Sequence, residues 1–181
     1  MKTTFSLISL AVVILMLTFC LHCFYSYFYP MKFSEQITDY AQQFDIDGAL
    51  IASVANTESA FNENAKSSKG AIGIMQLMPS TARWVAEKMN EEFQEEKLFD
   101  GEYSLKLGSY YLSYLVKSFD DVKLGLCAYN AGPSNVRSWL ANEEYSQDGK
   151  TLSIIPFDET KQYLNKVYKN YSYYSKKYKT V

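Results

Sequence analysis

The chain has 181 residues, room for one ordinary domain and an appendage, and its 48% hydrophobic and 21% charged residues belong to a folding polypeptide rather than a disordered one. A formal net charge of −2 lacks the basic excess of a dedicated nucleic-acid binder, so no nucleic acid is expected as a partner. The one histidine, His22, lies in the first 30 residues with Cys20 and Cys23; residues 31–181 keep only Cys127, so a Ser-His-Asp, Cys-His or His/Cys metal site cannot be built there, and acid–base work falls to Asp, Glu, Lys or Tyr with no metal and no cofactor called for.

Taken in chain order, the first element is apolar. No Asp, Glu, Lys or Arg occurs from Thr3 through Met31, and the run from Phe5 to about Phe28 is long enough to cross a hydrocarbon core. Phe24, Tyr25, Tyr27, Phe28 and Tyr29 suit the membrane–water interface, and Pro30 ends the helix. A cleaved signal peptide would need a shorter core and a small-x-small site, and none follows. Residues 1–30 are therefore read as a single-pass anchor in the cytoplasmic membrane. Lys2 on one side and Lys32 on the other barely orient it.

Residues 31–181 read as one all-α domain. Ser34 to Phe44 is the first expected helix, and Asp47 can cap a second over Gly48 to Thr57, with Leu50, Ile51 and Val54 on one face. Phe61 to Gly73 is polar and turn-rich, hence loop. Ser80 is the expected cap of a helix carrying Ala82, Val85, Ala86 and Met89, and the run Glu91 to Glu96 reads as a solvated connection. Glu102 to Ser118 repeats apolar residues at helical spacing; Asp120 or Asp121 can cap a short helix to Ala128; Ser134 to Leu140 follows Pro133. Asp158 to about Tyr178 is expected as a long last helix with Tyr163, Leu164, Val167, Tyr168 and Tyr171 on its inner stripe. Its tail, Tyr173 to Lys179, is amphipathic and most simply a solvated helix end.

Four segments carry chemistry. In Ala55-Asn56-Thr57-Glu58-Ser59-Ala60-Phe61, Glu58 stands at the end of an apolar helix, where the dipole and apolar neighbours would raise its pKa and suit it to be a general acid. In Ser67-Ser68-Lys69-Gly70-Ala71-Ile72-Gly73-Ile74-Met75-Gln76-Leu77-Met78-Pro79, glycines permit close backbone approach and Gln76 is a lone amide in an apolar run. Ala128-Tyr129-Asn130-Ala131-Gly132-Pro133 puts a phenol and an amide at a helix end. Ile155-Pro156-Phe157-Asp158-Glu159-Thr160 is a helix entry.

In this order and spacing the four segments resemble the catalytic domain of the soluble lytic transglycosylases, a bacterial family with a lysozyme-like fold. The resemblance runs from about Ser34 to Tyr174. It implies a domain at 31–181 that cleaves the MurNAc-β-1,4-GlcNAc bond of peptidoglycan without water, leaving 1,6-anhydro ends. By position it makes Glu58 the catalytic acid/base, with Ser59 and Ser67 lining sugar subsites and Gln76 and Met78 in the groove. Tyr129 is implied to lie against the catalytic carboxyl with Asn130 beside it, and Glu159 to reach the site from the last helix. Cys127 and Lys161 depart from the small residue and the arginine more usual there, away from the chemistry. A peptidoglycan substrate puts the domain on the extracytoplasmic side. Trp84, Trp139 and some of the 16 tyrosines offer flat faces for sugars. Two other readings fit the same segments: a hydrolytic muramidase using Glu159 or Asp158 as second carboxylate, and a non-catalytic glycan-binding scaffold.

Overall fold

The structure is a computed structural model that describes residues 2–178, with side chains from Leu10 onward; the Lys2 side chain and Lys179, both used in the readings above, lie outside the described residues. Among the described residues it is all-α. A 27-residue helix, α1 (Lys2–Phe28), precedes α2 (Ser34–Phe44), α3 (Gly48–Ser59), α4 (Pro79–Lys88), α5 (Gly101–Phe119), α6 (Val122–Ala131), α7 (Pro133–Leu140) and α8 (Asp158–Tyr174), with a short 3-10 helix at Glu95–Phe99. Extended pairing is confined to two isolated bridges, Lys66 with Ile72 and Ile72 with Leu77.

The Leu10–Phe28 stretch of α1 has a mean hydropathy of 2.0, and none of it is buried against the rest of the chain. Nineteen residues of helix span about 28 Å, close to the thickness of a hydrocarbon core. The rest of the chain folds around α3. Every residue of that helix from Gly48 to Ala55 is buried, so it has no solvent face until its last turn. It packs on α8, α2 and α5, while α5 pairs with α6, and α6 with α7 and α8. Ile37, Ile51, Val54, Leu105, Leu112, Leu115, Leu126 and Val167 are among the fully enclosed core side chains.

Capping decides several boundaries. The Asp47 carboxylate accepts from the Ala49 amide at 2.8 Å, and of the two candidates before α6 it is Asp121 that caps, accepting from the Leu124 amide at 2.7 Å. Asp100 does the same for α5 through the Tyr103 amide. Ser80 does not cap α4: Met78 holds the cap position without a side-chain bond, and Pro79 begins the helix, since it has no amide to leave unpaired. The Glu91 to Glu96 run is not simply solvated. Glu91 pairs with Lys106 of α5, both about one-third exposed, and the 3-10 turn beginning at Glu95 buries Leu98. The last helix ends at Tyr174 instead of Tyr178, and Tyr168 of its expected inner stripe is 44% exposed.

The segment that must place the second motif is a compact knot over residues 65–77. The Ile72 and Leu77 amides and carbonyls exchange bonds at 3.0 and 3.2 Å, and the Gly73 amide donates to the Ala65 carbonyl at 2.9 Å. Gly73 has φ +77, and a Cβ there would overlap the Leu98 carbonyl oxygen and crowd Ser104 Oγ; Gly70 has φ +91 but open space around it. The two glycines therefore separate backbone strain from packing. Gly70→Ala should cost only the strain, about 1–2 kcal/mol, and Gly73→Ala should add an overpacking penalty of about 1–3 kcal/mol. Thermal unfolding of the two variants of the full chain should show the larger drop for Gly73→Ala; equal drops would contradict the knot's role.

Candidate active site

Glu58 is the penultimate residue of α3, where the buried helix emerges from the core. Its side chain is half-buried, and its pKa is lifted from 4.5 to about 7. Burial is the largest cause, because a carboxylate loses more than a carboxylic acid when water is removed. The Tyr163 hydroxyl opposes it by favouring the anion, and the negative charge of Glu159 adds to the lift. The expectation of a raised pKa holds, and its main physical source is desolvation. The Coulombic help comes from a neighbouring carboxylate.

Two phenols accompany Glu58. Tyr163, one turn into α8, is buried, and its hydroxyl lacks a hydrogen bond of full geometry while standing close enough to Glu58 to interact with it. Tyr129, near the end of α6, donates its proton to the Met75 carbonyl at 2.8 Å. The resemblance implies Tyr129 against the Glu58 carboxyl, and the phenol is near enough for the Glu58 charge to raise its pKa, but its hydrogen bond goes to the knot and ties α6 to it. Burial and Glu58 keep both phenols protonated well above the ordinary tyrosine range. Helical spacing predicts Tyr163 on the inner stripe of α8; it is buried there and also interacts with Glu58. The clue in the sequence was its spacing: it lies four residues after Glu159 on a helix, so the two share a face.

The second motif forms the wall opposite. Ser59 donates to the Ile74 carbonyl at 2.8 Å and accepts from the Asn62 amide at 3.1 Å, fastening the end of α3 to the knot. Gln76, in a left-handed conformation with φ 45, commits its amide nitrogen to the carbonyls of Gly73 at 2.9 Å and Ala65 at 3.2 Å. Ser67 accepts from the Ala71 amide at 2.9 Å across the Gly70 turn. Ser59, Gln76 and Ser67 are thus all engaged in holding the loop, and Met78 is 41% exposed at the head of α4. Asn130 accepts from the Thr160 hydroxyl at 2.7 Å, joining the end of α6 to the start of α8. Glu159, 71% exposed, pairs with Lys69 at 3.4 Å across the gap between α8 and the knot.

Rings continue outward from Tyr129. Tyr111 stands 5.5 Å from it, centroid to centroid, and Trp84 lies 6.2 Å beyond Tyr111 and 4.9 Å from Tyr114. Trp139 does not offer a free face: it is 5% exposed and packs edge-on against Phe157. Cys127 is on the buried face of α6, and burial pushes its thiol up to about 11, which makes it inert. No group of three or more His, Cys, Asp or Glu able to hold a metal ion occurs among the described residues.

Comparison with known proteins places this arrangement. Residues 35–152 match the family model described as "Transglycosylase SLT domain". The chain is 33% identical over 150 residues to the soluble lytic murein transglycosylase of Salmonella typhimurium, covering 81% of this chain and 23% of that protein. It superimposes with a TM-score of 0.75 and 32% identity on an inactive glutamate-to-glutamine mutant of the lytic transglycosylase Slt from Pseudomonas aeruginosa, covering 84% of this chain and 25% of that one. It is 32% identical over 95 residues to the membrane-bound lytic murein transglycosylase E of Buchnera aphidicola, covering 51% of this chain and 43% of that protein. The chain therefore spans about a quarter of the length of the soluble relatives it matches.

The raised pKa has a thermodynamic consequence. A carboxyl that binds its proton more tightly folded than unfolded stabilises the fold fully below about pH 4.5, and this contribution is lost as pH rises through about 7. Glu58→Gln removes the titration. The variant should be more stable than the parent at pH 8, by about 3 kcal/mol at most, and the gain should vanish toward pH 4.5. Unfolding curves at the two pH values check this; a gain that does not depend on pH would contradict the assigned burial.

Proposed function

The chain belongs to the transglycosylase SLT family, and from that premise we propose that it is a peptidoglycan lytic transglycosylase, cutting the MurNAc-β-1,4-GlcNAc bond with Glu58 as sole acid and base. The observation that carries this reading is a carboxyl that still holds its proton near neutrality in a domain without histidine. A protonated Glu58 gives its proton to the glycosidic oxygen as the C–O bond breaks. The 2-acetamido group of the sugar supports the electron-poor anomeric carbon, as in the substrate-assisted exceptions to two-carboxylate catalysis. Glu58, now an anion, takes the proton of the muramoyl 6-hydroxyl, whose oxygen bonds to the anomeric carbon and closes the 1,6-anhydro ring. The proton returns to Glu58, and no water is consumed. Attack within one sugar gains from proximity what an activated water would otherwise have to supply.

Tyr163 fits the second half of this cycle, because its hydroxyl favours the anionic Glu58. Tyr129 positions the Met75 carbonyl and the floor of the cleft. Ser59, Ser67, Gln76, Met78, Asn130 and Glu159 line or brace the groove, and Tyr111 and Trp84 extend it with ring faces suited to sugars. A relative of known structure is inactive when one glutamate becomes glutamine, which accords with a single indispensable carboxyl. Residues 1–30 would anchor the enzyme in the cytoplasmic membrane and residues 31–181 would lie on its wall side, in keeping with a membrane-bound relative. Glu159 is 71% exposed and paired with Lys69, which does not favour it as a second catalytic carboxylate.

Digestion of purified sacculi followed by mass spectrometry tests the reading. Muropeptides lighter by one water, with non-reducing anhydro ends, are expected; reducing ends would point to hydrolysis instead. Glu58→Gln should lower the rate by about 10²–10⁴-fold or more, and the parent's rate should fall as pH rises through about 7, where Glu58 loses its proton. A rate that climbs through that range would contradict Glu58 as the acid.

A further inference from the structure

The foot of α1 does not hang free of the folded domain. The last carbonyls of a helix have no partner inside it, and here the domain supplies one for Phe28 and holds the Pro30 carbonyl just beyond it. Asn56 of α3 donates its side-chain amide to the Phe28 carbonyl at 3.0 Å, and the Tyr174 hydroxyl of α8 donates to the Pro30 carbonyl at 2.9 Å. Rings close the joint: Tyr173 stacks on Tyr29 at 4.3 Å and 16° and on Tyr25 at 5.7 Å and 14°. Tyr174 meets Tyr29 edge-on at 6.2 Å, and its own ring is fully enclosed in the core. A chain that merely tethered a domain would need none of these contacts, and a flexible tether would have to break them all.

The joint and the cleft share one helix turn. Asn56 and Glu58 are two residues apart on α3, so their side chains leave the helix on opposite faces: one holds the foot of α1, the other meets Tyr163 at the candidate site. About one helix diameter, 10–12 Å, therefore separates the Glu58 carboxyl from the end of α1. The headgroup layer itself is about 6 Å deep on each side of a bilayer. Lys176 and Lys177, in the turn after α8, and Lys32, just past Pro30, stand exposed around the same foot, with the Lys177 ammonium 5.8 Å above the Tyr173 ring.

We propose that this aromatic clasp locks the domain in one pose on its own anchor and holds the Glu58 cleft at the height of the lipid headgroups, so that the substrate taken is glycan lying against the membrane in preference to strands deeper in the wall. The proposal rests on the function and anchoring proposed above. It also gives the enzyme a place in a reaction sequence: it acts after the reaction that polymerises glycan at the membrane surface and on that reaction's product.

The test uses the full chain in phospholipid vesicles. Cys23 is exposed on α1 and Cys127 is buried and inert, so with Cys20→Ser one spin label can be placed at Cys23 and another at Ser138→Cys on α7. The parent should give one narrow distance distribution, and Tyr29→Ala with Tyr173→Ala a broad one, whereas Tyr27→Ala, at an exposed ring outside the clasp, should leave it narrow. In parallel, cleavage of glycan tethered to the vesicle is compared with cleavage of free strands. The double variant should keep its rate on free strands and lose about tenfold on tethered ones, the loss of a fixed effective concentration. A broad distribution in the parent, or an unchanged tethered-to-free ratio in the double variant with its distribution broadened, overturns the clasp. Absence of cleavage of free strands by every protein, Glu58 intact, would instead overturn the enzymatic reading, and the distance measurement would still judge the clasp.

Discussion

The withdrawal of water from one carboxyl governs this molecule. A glutamate at a helix end is ordinarily solvated and ionised at neutral pH. Here α3 is enclosed on every side up to its final turn, so Glu58 leaves the core with too little water to be a stable anion, and its pKa comes to about 7. Much of the remaining architecture can be understood as maintaining that condition. The helices α2, α5 and α8 wrap α3, and the knot over residues 65–77 closes the open side.

The side chains around the knot illustrate how a site of this kind is kept rigid. Ser59, Ser67 and Gln76 each spend hydrogen-bonding capacity on backbone groups of the knot. Tyr129 spends its proton on the Met75 carbonyl, and Asn130 with Thr160 joins α6 to α8. Each bond satisfies a polar group that would be costly to leave unpaired near the core. Tyr163 is a buried phenol whose proton is not committed to another group, and it interacts with Glu58. Side chains that a motif brings together in a family can therefore serve the cleft by bracing it as well as by touching a ligand.

Aromatic residues divide into three uses that the sequence does not separate. Tyr174 and Trp139 are buried packing. Tyr111, Trp84 and Tyr114 run outward from the cleft. Tyr25, Tyr29 and Tyr173 join α1 to the domain, so part of the aromatic cluster expected at a membrane–water interface packs on protein. That joint puts α1, α3 and Glu58 in one continuous piece of structure, and under the proposed anchoring it would make the height of the site above a bilayer a property of the fold.

Local chemistry was legible where it alone decides. Apolar periodicity, the Asp47 cap and a cap at Asp120 or Asp121 marked the helices, the absence of histidine beyond residue 30 left acid–base work to Asp, Glu, Lys or Tyr, and an uncharged run long enough for a bilayer core marked α1. Glu58 by itself could be an ordinary solvated acid at a helix end, and it is picked out by the resemblance that the four segments carry together. Other features depend on groups far apart in the chain. Which phenol donates to which acceptor, the pairing of Lys69 with Glu159 across 90 positions, that of Glu91 with Lys106, and the seating of Asn56 on the Phe28 carbonyl were all beyond a linear reading. Spacing along a chain fixes which side chains share a face of one helix. Only packing several helices together decides what each face meets, how much water remains there, and hence whether a carboxyl keeps its proton.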